Sequence, residues 1–225
     1  MSESCFTDHF PILEGHAACR AAFIAKCPDV NVDADREEAL SRLKQNHDAL
    51  RKTLGFSGMP FITAEQVHGC EIATVHATLE DKVFSGADGL MTNQPNICLG
   101  IYVADCAAVY LIDKSSRAIA LVHSGKKGTE LGIVPAAIQR MEAEYGCTPR
   151  DLIIQIAPCI RPPHYEIDFA AEIVAQAHAE GVLEVYDDEV CTASNPDRYY
   201  SYRLEKGRTG RMLALLALLP RVQKV

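Results

Sequence analysis

The chain has 225 residues, 48% of them hydrophobic, and a formal net charge of −8. This length can bury one sizeable core. Because no linker-like stretch, internal repeat or low-complexity tract interrupts it, a single domain over residues 1–225 is expected. The acidic balance argues against nonspecific binding to nucleic acid or to anionic membranes, which attract basic surfaces, although a local basic pocket would escape that argument.

The first predicted element is an amphipathic helix over residues 35–54. Its apolar face repeats at three- and four-residue spacing among charged residues and comprises Leu40, Leu43, His47 and Leu50. Gly55 follows directly and supplies a stop signal for the helix.

Five strand-like runs follow this helix. Each is short and rich in apolar or β-branched residues, and turn-forming stretches such as SGADG, NQPN and DKSS separate them. The runs cover residues 60–68, 70–76, 97–105, 107–113 and 118–124.

Beyond the stretch GKKG the apolar pattern takes the period of a helix. The residues that share one helical face are Leu131, Val134, Ile138 and Met141 or Tyr145. Pro135 would lie in the first turn, where proline is tolerated. An apolar strand over residues 151–159, a helix over 168–181 and a C-terminal helix over 208–219 are predicted next. Consecutive strands flanked by helices, without regular alternation, predict an α+β layered domain rather than a doubly wound one.

The sequence shows neither a membrane span nor a signal peptide. The longest apolar run, MLALLALL, is too short to cross a bilayer, and the first ten residues lack the charged-then-apolar order of a signal peptide. A soluble, cytoplasmic protein is therefore expected. An acidic surface without a coiled-coil pattern also favours a monomer, although a sheet edge or the apolar C-terminal segment could pair with a second copy.

The nine cysteines are an odd number and form no CxxC pair. Since no export signal is evident, this pattern favours reduced thiols over a disulfide scaffold. Most of them are expected to be small core residues, which is the ordinary fate of a free cysteine. Cys106 is the candidate exception, because it follows an apolar strand and an aspartate directly.

Three residues that can ligate a metal stand at the ends of apolar strands: His68, Cys106 and His123. If those strands are neighbours in one sheet, their ends converge. One thiolate and two imidazoles suit Zn²⁺, and three protein ligands with a fourth position left to water are typical of a catalytic rather than a structural zinc site. Cu²⁺ accepts the same donors, but zinc is the expected ion in a reducing cytosol.

The same residues also have a simpler interpretation. A cysteine or histidine at a strand end is more often packed or hydrogen-bonded than metal-bound, and these wide spacings match no short zinc motif. His16, His76 and His178 look alike in composition, so only position distinguishes His68 and His123 from them.

A series of longer motifs adds a family resemblance. The motifs are EQVHG, GADGLMTN, VADCAAVYLID, LVHSGKKGT, APCIRPPHYEID and YYSYRLEKGRTGRM. They occur in the order seen in the YfiH-like laccase-domain family, also called the multicopper polyphenol oxidase or purine nucleoside phosphorylase family, which the chain resembles over residues 46–212. The resemblance implies one α+β domain of four layers, with helices outside two central mixed sheets. It also implies metal ligation by His68, Cys106 and His123.

The activity that this resemblance implies is purine nucleoside chemistry. Its main reaction is phosphorolysis of adenosine, inosine, guanosine or methylthioadenosine, and its second is deamination of adenosine; an older family name implies copper-dependent oxidation of phenols. Deamination can use a metal that lowers the pKa of a bound water toward about 7. Phosphorolysis needs cations or backbone N–H groups that hold a phosphate dianion. The expected partners are therefore a nucleoside and phosphate.

The chain departs from the family pattern in two segments. Where the family commonly reads HAGWRG this chain reads HSGKKG, so Lys126 and Lys127 replace an aromatic residue and an arginine. Lysine attracts phosphate but cannot form a bidentate fork, so weak phosphorolysis and phosphate-independent deamination are expected; the alternative is that both lysines form a solvated turn. The family's GPCIGPCCYE has become APCIRPPHYE, which keeps Cys159 and offers Arg161 and His164 as compensating donors.

Other polar residues in these motifs have two interpretations each. Gln66 either orients a ligand or pairs in the sheet. Asp105 either accepts the second N–H of a ligating imidazole or caps a turn, and Asp88 has the same alternatives, with the turn favoured. Tyr202 and Arg203 either contact a nucleoside or pack against the predicted C-terminal helix.

Two functional classes stay open at this point. A metal-dependent nucleoside enzyme is favoured by the ligand set and the retained motifs. A binding or quality-control protein that keeps its metal structurally is favoured by the altered HSGKKG and RPPH segments. The family resemblance adds a third alternative, an amidohydrolase-like protein that edits peptidoglycan precursors.

Overall fold

The computed structural model describes residues 5–16, 18–115 and 117–220. The helices are α1 Pro11–Glu14, α2 Arg36–Arg51, α3 Lys126–Glu130, α4 Ile133–Tyr145 and α5 Phe169–Ala179. The strands are β1 Thr7–Asp8, β2 Cys19–Ile24, β3 Phe61–Ala64, β4 Ile72–Thr74, β5 Lys82–Phe84, β6 Gly89–Thr92, β7 Cys98–Val103, β8 Ala107–Asp113, β9 Ile119–Ser124, β10 Leu152–Ile156, β11 Glu184–Asp187 and β12 Met212–Leu218. None of the described helices combines the length and the apolar character that a membrane crossing requires.

The strands form two mixed six-stranded sheets. Sheet 1 has the order β1-β2-β12-β7-β3-β5, and sheet 2 has the order β11-β10-β8-β9-β6-β4. The chain passes from sheet 1 to sheet 2 between β7 and β8, which only residues 104–106 separate. That short connection therefore lies at the junction of the two sheets, and Cys106 is part of it.

The two sheets pack face to face around one apolar core. Side chains from both sheets belong to it, and Tyr110 of β8 donates its hydroxyl to the carbonyl of Ala22 in β2 at 2.7 Å. Helices α4 and α5 cover the other face of sheet 2, and α2 packs on sheet 1 with the His47 ring 5.9 Å from that of Tyr102. The predicted α+β fold with two central mixed sheets between helices is confirmed.

Most of the predicted elements are present at the predicted places. The five strand-like runs contain β3, β4, β7, β8 and β9, and the helices predicted around residues 131–145 and 168–181 are α4 and α5. The first predicted helix is α2, which begins after Asp35, whose carboxylate accepts the N–H of Glu38 at 3.0 Å. A final helical turn, Lys52–Phe56, follows α2, and within it Gly55 has a φ of 88°, a left-handed conformation that favours glycine.

The predicted C-terminal helix is wrong, because residues 212–218 form strand β12. This strand pairs antiparallel with β2 on one side and with β7 on the other, and all seven of its residues are buried. A continuous apolar run fits a fully buried strand as well as a helix, and leucine and alanine favour a helix by intrinsic propensity. Pairing of β12 with β2 and β7 therefore outweighs the helix propensity of its leucines and alanines.

The expectation that every cysteine is reduced is also wrong, because the structure pairs Cys5 with Cys27 in a disulfide. Strands β1 and β2 run antiparallel, and the ladder continues through Phe6, which exchanges main-chain hydrogen bonds with Ala25 and Lys26. This ladder brings Cys5, just before Phe6, close to Cys27, just after Lys26. The other seven cysteines are free.

Truncating a core leucine of β12 tests the assignment of this segment to the central strand. Leu215 is fully buried between the sheets, so Leu215→Ala is expected to lower the free energy of unfolding by about 2–5 kcal/mol. The matched control is Leu183→Ala, at a leucine that is 69% exposed, with an expected change within about 0.5 kcal/mol. Urea unfolding measures both, and equal losses would contradict the assignment.

Candidate functional site

The structure brings His68, Cys106 and His123 together. Their ligand atoms all lie within 4.8 Å of one another, and the two imidazole rings meet edge to face with centroids 4.9 Å apart. His68 lies in the turn after β3, Cys106 directly precedes β8, and His123 belongs to β9. The three residues meet as predicted, but the assumption that their strands are neighbours in one sheet is wrong. The three residues come from both sheets and from the junction between them, not from one sheet.

A single buried carboxylate orients both histidines. Asp88 Oδ1 lies 2.8 Å from Nδ1 of His123, and the two carboxylate oxygens accept the main-chain N–H groups of Val67, His68 and Gly69 at 2.7–3.1 Å. With Nδ1 bound to Asp88, the Nε2 atom of His123 is the one available to a metal. This is the usual support of a ligating histidine by a carboxylate.

The segment after His123 is shaped around the thiol of Cys106. A Cβ on Gly125 would lie 2.4 Å from Sγ of Cys106, so only glycine leaves room for the sulfur. The hydroxyl of Thr129 donates to the Gly125 carbonyl at 2.9 Å and lies 2.8 Å from the hydroxyl of Ser124. These contacts hold the glycine against the thiol.

Electrostatics favour a thiolate at this position. Burial raises the pKa of Cys106, but hydrogen bonds from His123 and His68 and their positive charges lower it to about 6. For His123, burial lowers the pKa, whereas hydrogen bonds to Asp88 and Cys106 raise it to about 9. Burial likewise raises the pKa of Asp88, and its hydrogen bonds to His123 and to the main chain of Gly69 and His68 bring it below its ordinary value.

This donor set fits a zinc or copper ion. A thiolate and two imidazoles are borderline-soft donors, and coordination requires the thiol to be deprotonated, which its lowered pKa favours. The room that Gly125 leaves beside the sulfur and the orientation of His123 by Asp88 are both features that a metal site needs. With three ligands, a fourth coordination position stays open.

The three residues line a cavity of about 700 Å³. Its cationic side chains are Arg36, Lys126, Arg203, Lys206 and Arg211, and its aromatic side chains are Tyr102, Tyr165, Phe169 and Tyr202. Asp105 is the one carboxylate among the lining residues, and its oxygens accept hydrogen bonds from Thr192 (2.7 Å), Ser201 (3.1 Å) and the main chain of Arg203 (2.7 Å). In a chain of net charge −8, this cavity is a local concentration of positive charge beside rings.

Of the six residues predicted to bind substrate, Gln66, Lys126 and Arg203 line the cavity. The amide of Gln66 bonds both main-chain groups of Tyr102, at 2.5 and 3.0 Å, as in the sheet-pairing interpretation. The guanidinium of Arg203 pairs with Glu166 and lies 5.0 Å from the ring centroid of Tyr165. Lys126 is exposed at the start of α3.

The other three, Lys127, Arg161 and His164, are not among the residues that line the cavity. Lys127 and His164 are exposed, whereas Arg161 is buried and pairs with Asp187 and Asp168. The charge of Arg161 is therefore paired with two carboxylates, and although its Nε atom has no hydrogen-bond partner, the residue is not among those that line the cavity. Because Lys127 lies outside the cavity lining, its replacement of an arginine no longer supports the expectation of weak phosphorolysis.

The aspartate that supports a candidate ligating histidine is Asp88 and not Asp105. Asp88, for which a turn was favoured, both holds a turn and takes the imidazole of His123. Asp105 contacts neither histidine through its carboxylate and instead secures the segment that carries Arg203.

Sequence reasoning did not find Arg36, Tyr102, Lys206 or Arg211 as residues of the cavity. Arg36 reads as an ordinary charge of an amphipathic helix, and Tyr102 as one residue of an apolar strand. Lys206 and Arg211 lie in the motif YYSYRLEKGRTGRM. That motif belongs to the family resemblance, which was the one sequence feature that could have indicated a role for them.

Several known proteins are similar to this chain. The family model described as multi-copper polyphenol oxidoreductase laccase matches residues 23–180 and 167–219. A purine nucleoside phosphorylase from Deinococcus radiodurans is 30% identical, covering 84% of this chain and 82% of that protein. Another protein of that name, from Streptomyces coelicolor, is 28% identical over 74% of this chain and 78% of its own length. The crystal structure of Bacillus licheniformis YfiH matches with a TM-score of 0.79 at 21% identity, covering 89% of this chain and 92% of that one, and thus shares the fold.

Removing the thiol of Cys106 is expected to remove most of the bound metal. The wild-type protein should carry about one zinc per chain, and Cys106→Ser should lose it because a neutral hydroxyl is a much poorer ligand than a thiolate. Cys70→Ser is the matched control, since Cys70 is an exposed free thiol outside the ligand set. Elemental analysis after gentle purification measures the occupancy, and full zinc content in Cys106→Ser would place the metal elsewhere.

The titration of Cys106 in metal-free protein tests the electrostatics of the site. A thiol whose pKa is lowered to about 6 is protonated below that pH and becomes a thiolate as the pH rises through it. The ultraviolet absorbance of wild-type protein minus that of Cys106→Ser isolates this thiolate. His123→Ala should move the midpoint upward, toward the ordinary value of 9.0, because a stabilising positive charge is lost. A wild-type midpoint near 9.0 would contradict the described contacts.

Proposed function

This chain belongs to the multi-copper polyphenol oxidoreductase laccase family, and we propose that it is a metal-dependent purine nucleoside enzyme. Its main reaction would be phosphorolysis of adenosine, inosine, guanosine or methylthioadenosine, and its second would be deamination of adenosine. The observation that carries this proposal is that the three metal ligands share one cavity with five cationic side chains and four aromatic rings. The names of relatives such as the Deinococcus radiodurans protein support the same substrate class.

His68, Cys106 and His123 would hold the metal, with zinc as the proposed ion and copper as the alternative that fits the same donors. When bound, the ion supplies a Lewis acid that polarises an oxygen atom and makes water more acidic. Asp88 keeps Nδ1 of His123 engaged, so that Nε2 would be the atom that binds the ion. The main chain at Gly125 packs directly against the thiol of Cys106.

For phosphorolysis, the protein must bind the phosphate dianion beside the sugar of the nucleoside. A phosphate oxygen forms a bond to the anomeric carbon, and the bond from that carbon to the purine nitrogen breaks, so the electron pair leaves with the base, which then takes a proton. The cations of the cavity can hold the phosphate, and its tyrosines and phenylalanine offer surfaces on which a purine can stack. The family's aromatic residue is Lys126 in this chain, so a cation here takes the place of one ring.

Deamination is the second reaction because it makes different demands on the same cavity. Water replaces the exocyclic amino group of adenosine, ammonia leaves and inosine forms, so phosphate takes no part. A metal held by these three residues alone would leave a fourth position for water beside the cavity, which favours this reaction as well. Phosphate dependence therefore separates the two reactions in one assay.

Turnover of a nucleoside panel by zinc-loaded protein tests the proposal. Free base and sugar phosphate should form only when phosphate is present, whereas inosine should form from adenosine at a rate that does not depend on phosphate. Cys106→Ser should fall to the level of a protein-free blank in both reactions, because the metal would lose its thiolate ligand. Chromatographic separation of base, nucleoside and sugar phosphate gives both rates.

Cys70→Ser is again the matched control and should keep the wild-type rates, since its thiol lies outside the ligand set. Zinc-loaded protein that turns over no nucleoside under either condition would reject the proposed function. Turnover that is unchanged in Cys106→Ser would reject the role of the metal site.

A further inference from the structure

We propose that Arg211, with Arg36 beside it, forms the subsite of this cavity that binds a phosphoryl dianion. This inference rests on the proposed function, because it names the residues that would hold the phosphate of that reaction. It replaces the donors expected from the sequence, of which Lys127, Arg161 and His164 are not among the lining residues.

Arg211 has the geometry of a prepared anion donor. It directly precedes β12, the central strand of sheet 1, and its side chain is 9% exposed while lining the cavity. One terminal nitrogen, Nη1, donates to the carbonyls of Thr209 and Gly210, both at 2.9 Å. Among the described residues, the hydrogen bonds of the Arg211 side chain involve Nη1 alone and leave Nε and Nη2 without an acceptor. Those two nitrogens form the side-on fork that binds two oxygens of a phosphate or carboxylate.

Arg211 forms no ion pair with a carboxylate of the described residues. Arg161 and Arg203 pair with the carboxylates of Asp187 and Glu166, whereas no described carboxylate lies within 4.0 Å of Arg211. Burial and the charge of Arg36 lower the pKa of Arg211 more than the charges of Cys106 and Asp105 raise it, so this buried cation is only partly compensated. A bound anion would supply the missing charge.

Arg36 adds a second cation to the lining of the same cavity. It is the first residue of α2, lines the cavity and donates to the carbonyl of Glu65 at 3.2 Å. Burial and then the charge of Arg36 lower the pKa of Arg211, so the two guanidinium groups are close enough to repel each other. The first turn of a helix also disfavours a cation, because the macrodipole is positive there. An anion bound by both arginines would offset both penalties.

The surroundings hold Arg211 in one place. Its guanidinium carbon lies 5.9 Å from the ring centroid of Tyr202, and Gly210 packs so closely on Tyr200 that a Cβ there would lie 2.5 Å from the ring. Glu205, the nearest acid of this segment in sequence, accepts hydrogen bonds from Thr209 and from the main chain of Ser201. The fork is therefore preorganised rather than carried on a free side chain.

The ligand class is a phosphoryl dianion, which could come from inorganic phosphate or from a nucleoside monophosphate. Calorimetric titration of zinc-loaded protein with phosphate and, separately, with adenosine 5′-monophosphate distinguishes the two sources without turnover. Arg211→Met should weaken the better of the two by about 10- to 100-fold, because a hydrogen-bonded charge is lost. Arg211→Lys should recover part of this loss, because it keeps the charge but not the fork.

Arg208→Met is the matched control. Arg208 lies in the same segment, pairs with Asp33, has a 63% exposed side chain and does not line the cavity. Its dissociation constants should equal those of the wild type. Arg36→Met, at the other end of the subsite, should weaken binding in the same direction as Arg211→Met and covers the case in which that variant does not fold. Zinc content confirms that each variant keeps the metal site.

The outcomes separate this inference from the proposed function. Phosphate or monophosphate binding that weakens in Arg211→Met supports the subsite even if no nucleoside is turned over. Nucleoside phosphorolysis whose KM for phosphate is unchanged in both arginine variants overturns the subsite and leaves the proposed function intact. Binding of neither probe to wild-type protein also overturns the subsite.

Discussion

The hydrogen bonds of the buried Asp88 carboxylate are the contacts on which the rest of the site depends. They reach the ring of His123 in β9, which belongs to sheet 2, and the main chain of the turn after β3, which belongs to sheet 1. One side chain thus joins the two sheets where the metal ligands meet. Four donors can keep a buried carboxylate ionised. Its charge then stabilises the protonated form of His123, which in turn lowers the pKa of Cys106.

Unusual backbone conformations are concentrated around this carboxylate and the cavity. Gln66, His68 and Asp105 have φ angles of 66°, 61° and 78°, a left-handed region that residues other than glycine seldom adopt. Each conformation is secured by other contacts: the Gln66 amide bonds the main chain of Tyr102, the N–H of His68 donates to Asp88, and Asp105 accepts three hydrogen bonds. Strain that surrounding contacts hold in place is typical of functional sites.

Much of the fold and the meeting of the three candidate metal ligands could be predicted from the sequence, because both depend on local patterns. The apolar period identified α2, α4 and α5, and position at strand ends identified Cys106 and His123. Strand β12 could not be predicted, because its seven buried residues owe their conformation to pairing with β2 and β7. The roles of Arg211 and Arg161 also depend on residues that are distant in sequence, so they could not be predicted either. Both are arginines in family motifs, and only the positions of Asp187 and of the cavity show which one is already paired.

The charge of the cavity and the charge of the whole chain act over different distances. The net charge of −8 is a sum over the whole chain, and salt screens the field of the exposed charges within about 8–10 Å. The cavity lies behind low-dielectric walls, where five cations face one carboxylate that three hydrogen bonds already satisfy. A small dianion that enters the cavity therefore meets a positive field, whereas a long polyanion must lie along the acidic exterior. Composition argues against nucleic acid for this reason, yet it says nothing against phosphate, because the relevant cations converge only in the folded chain.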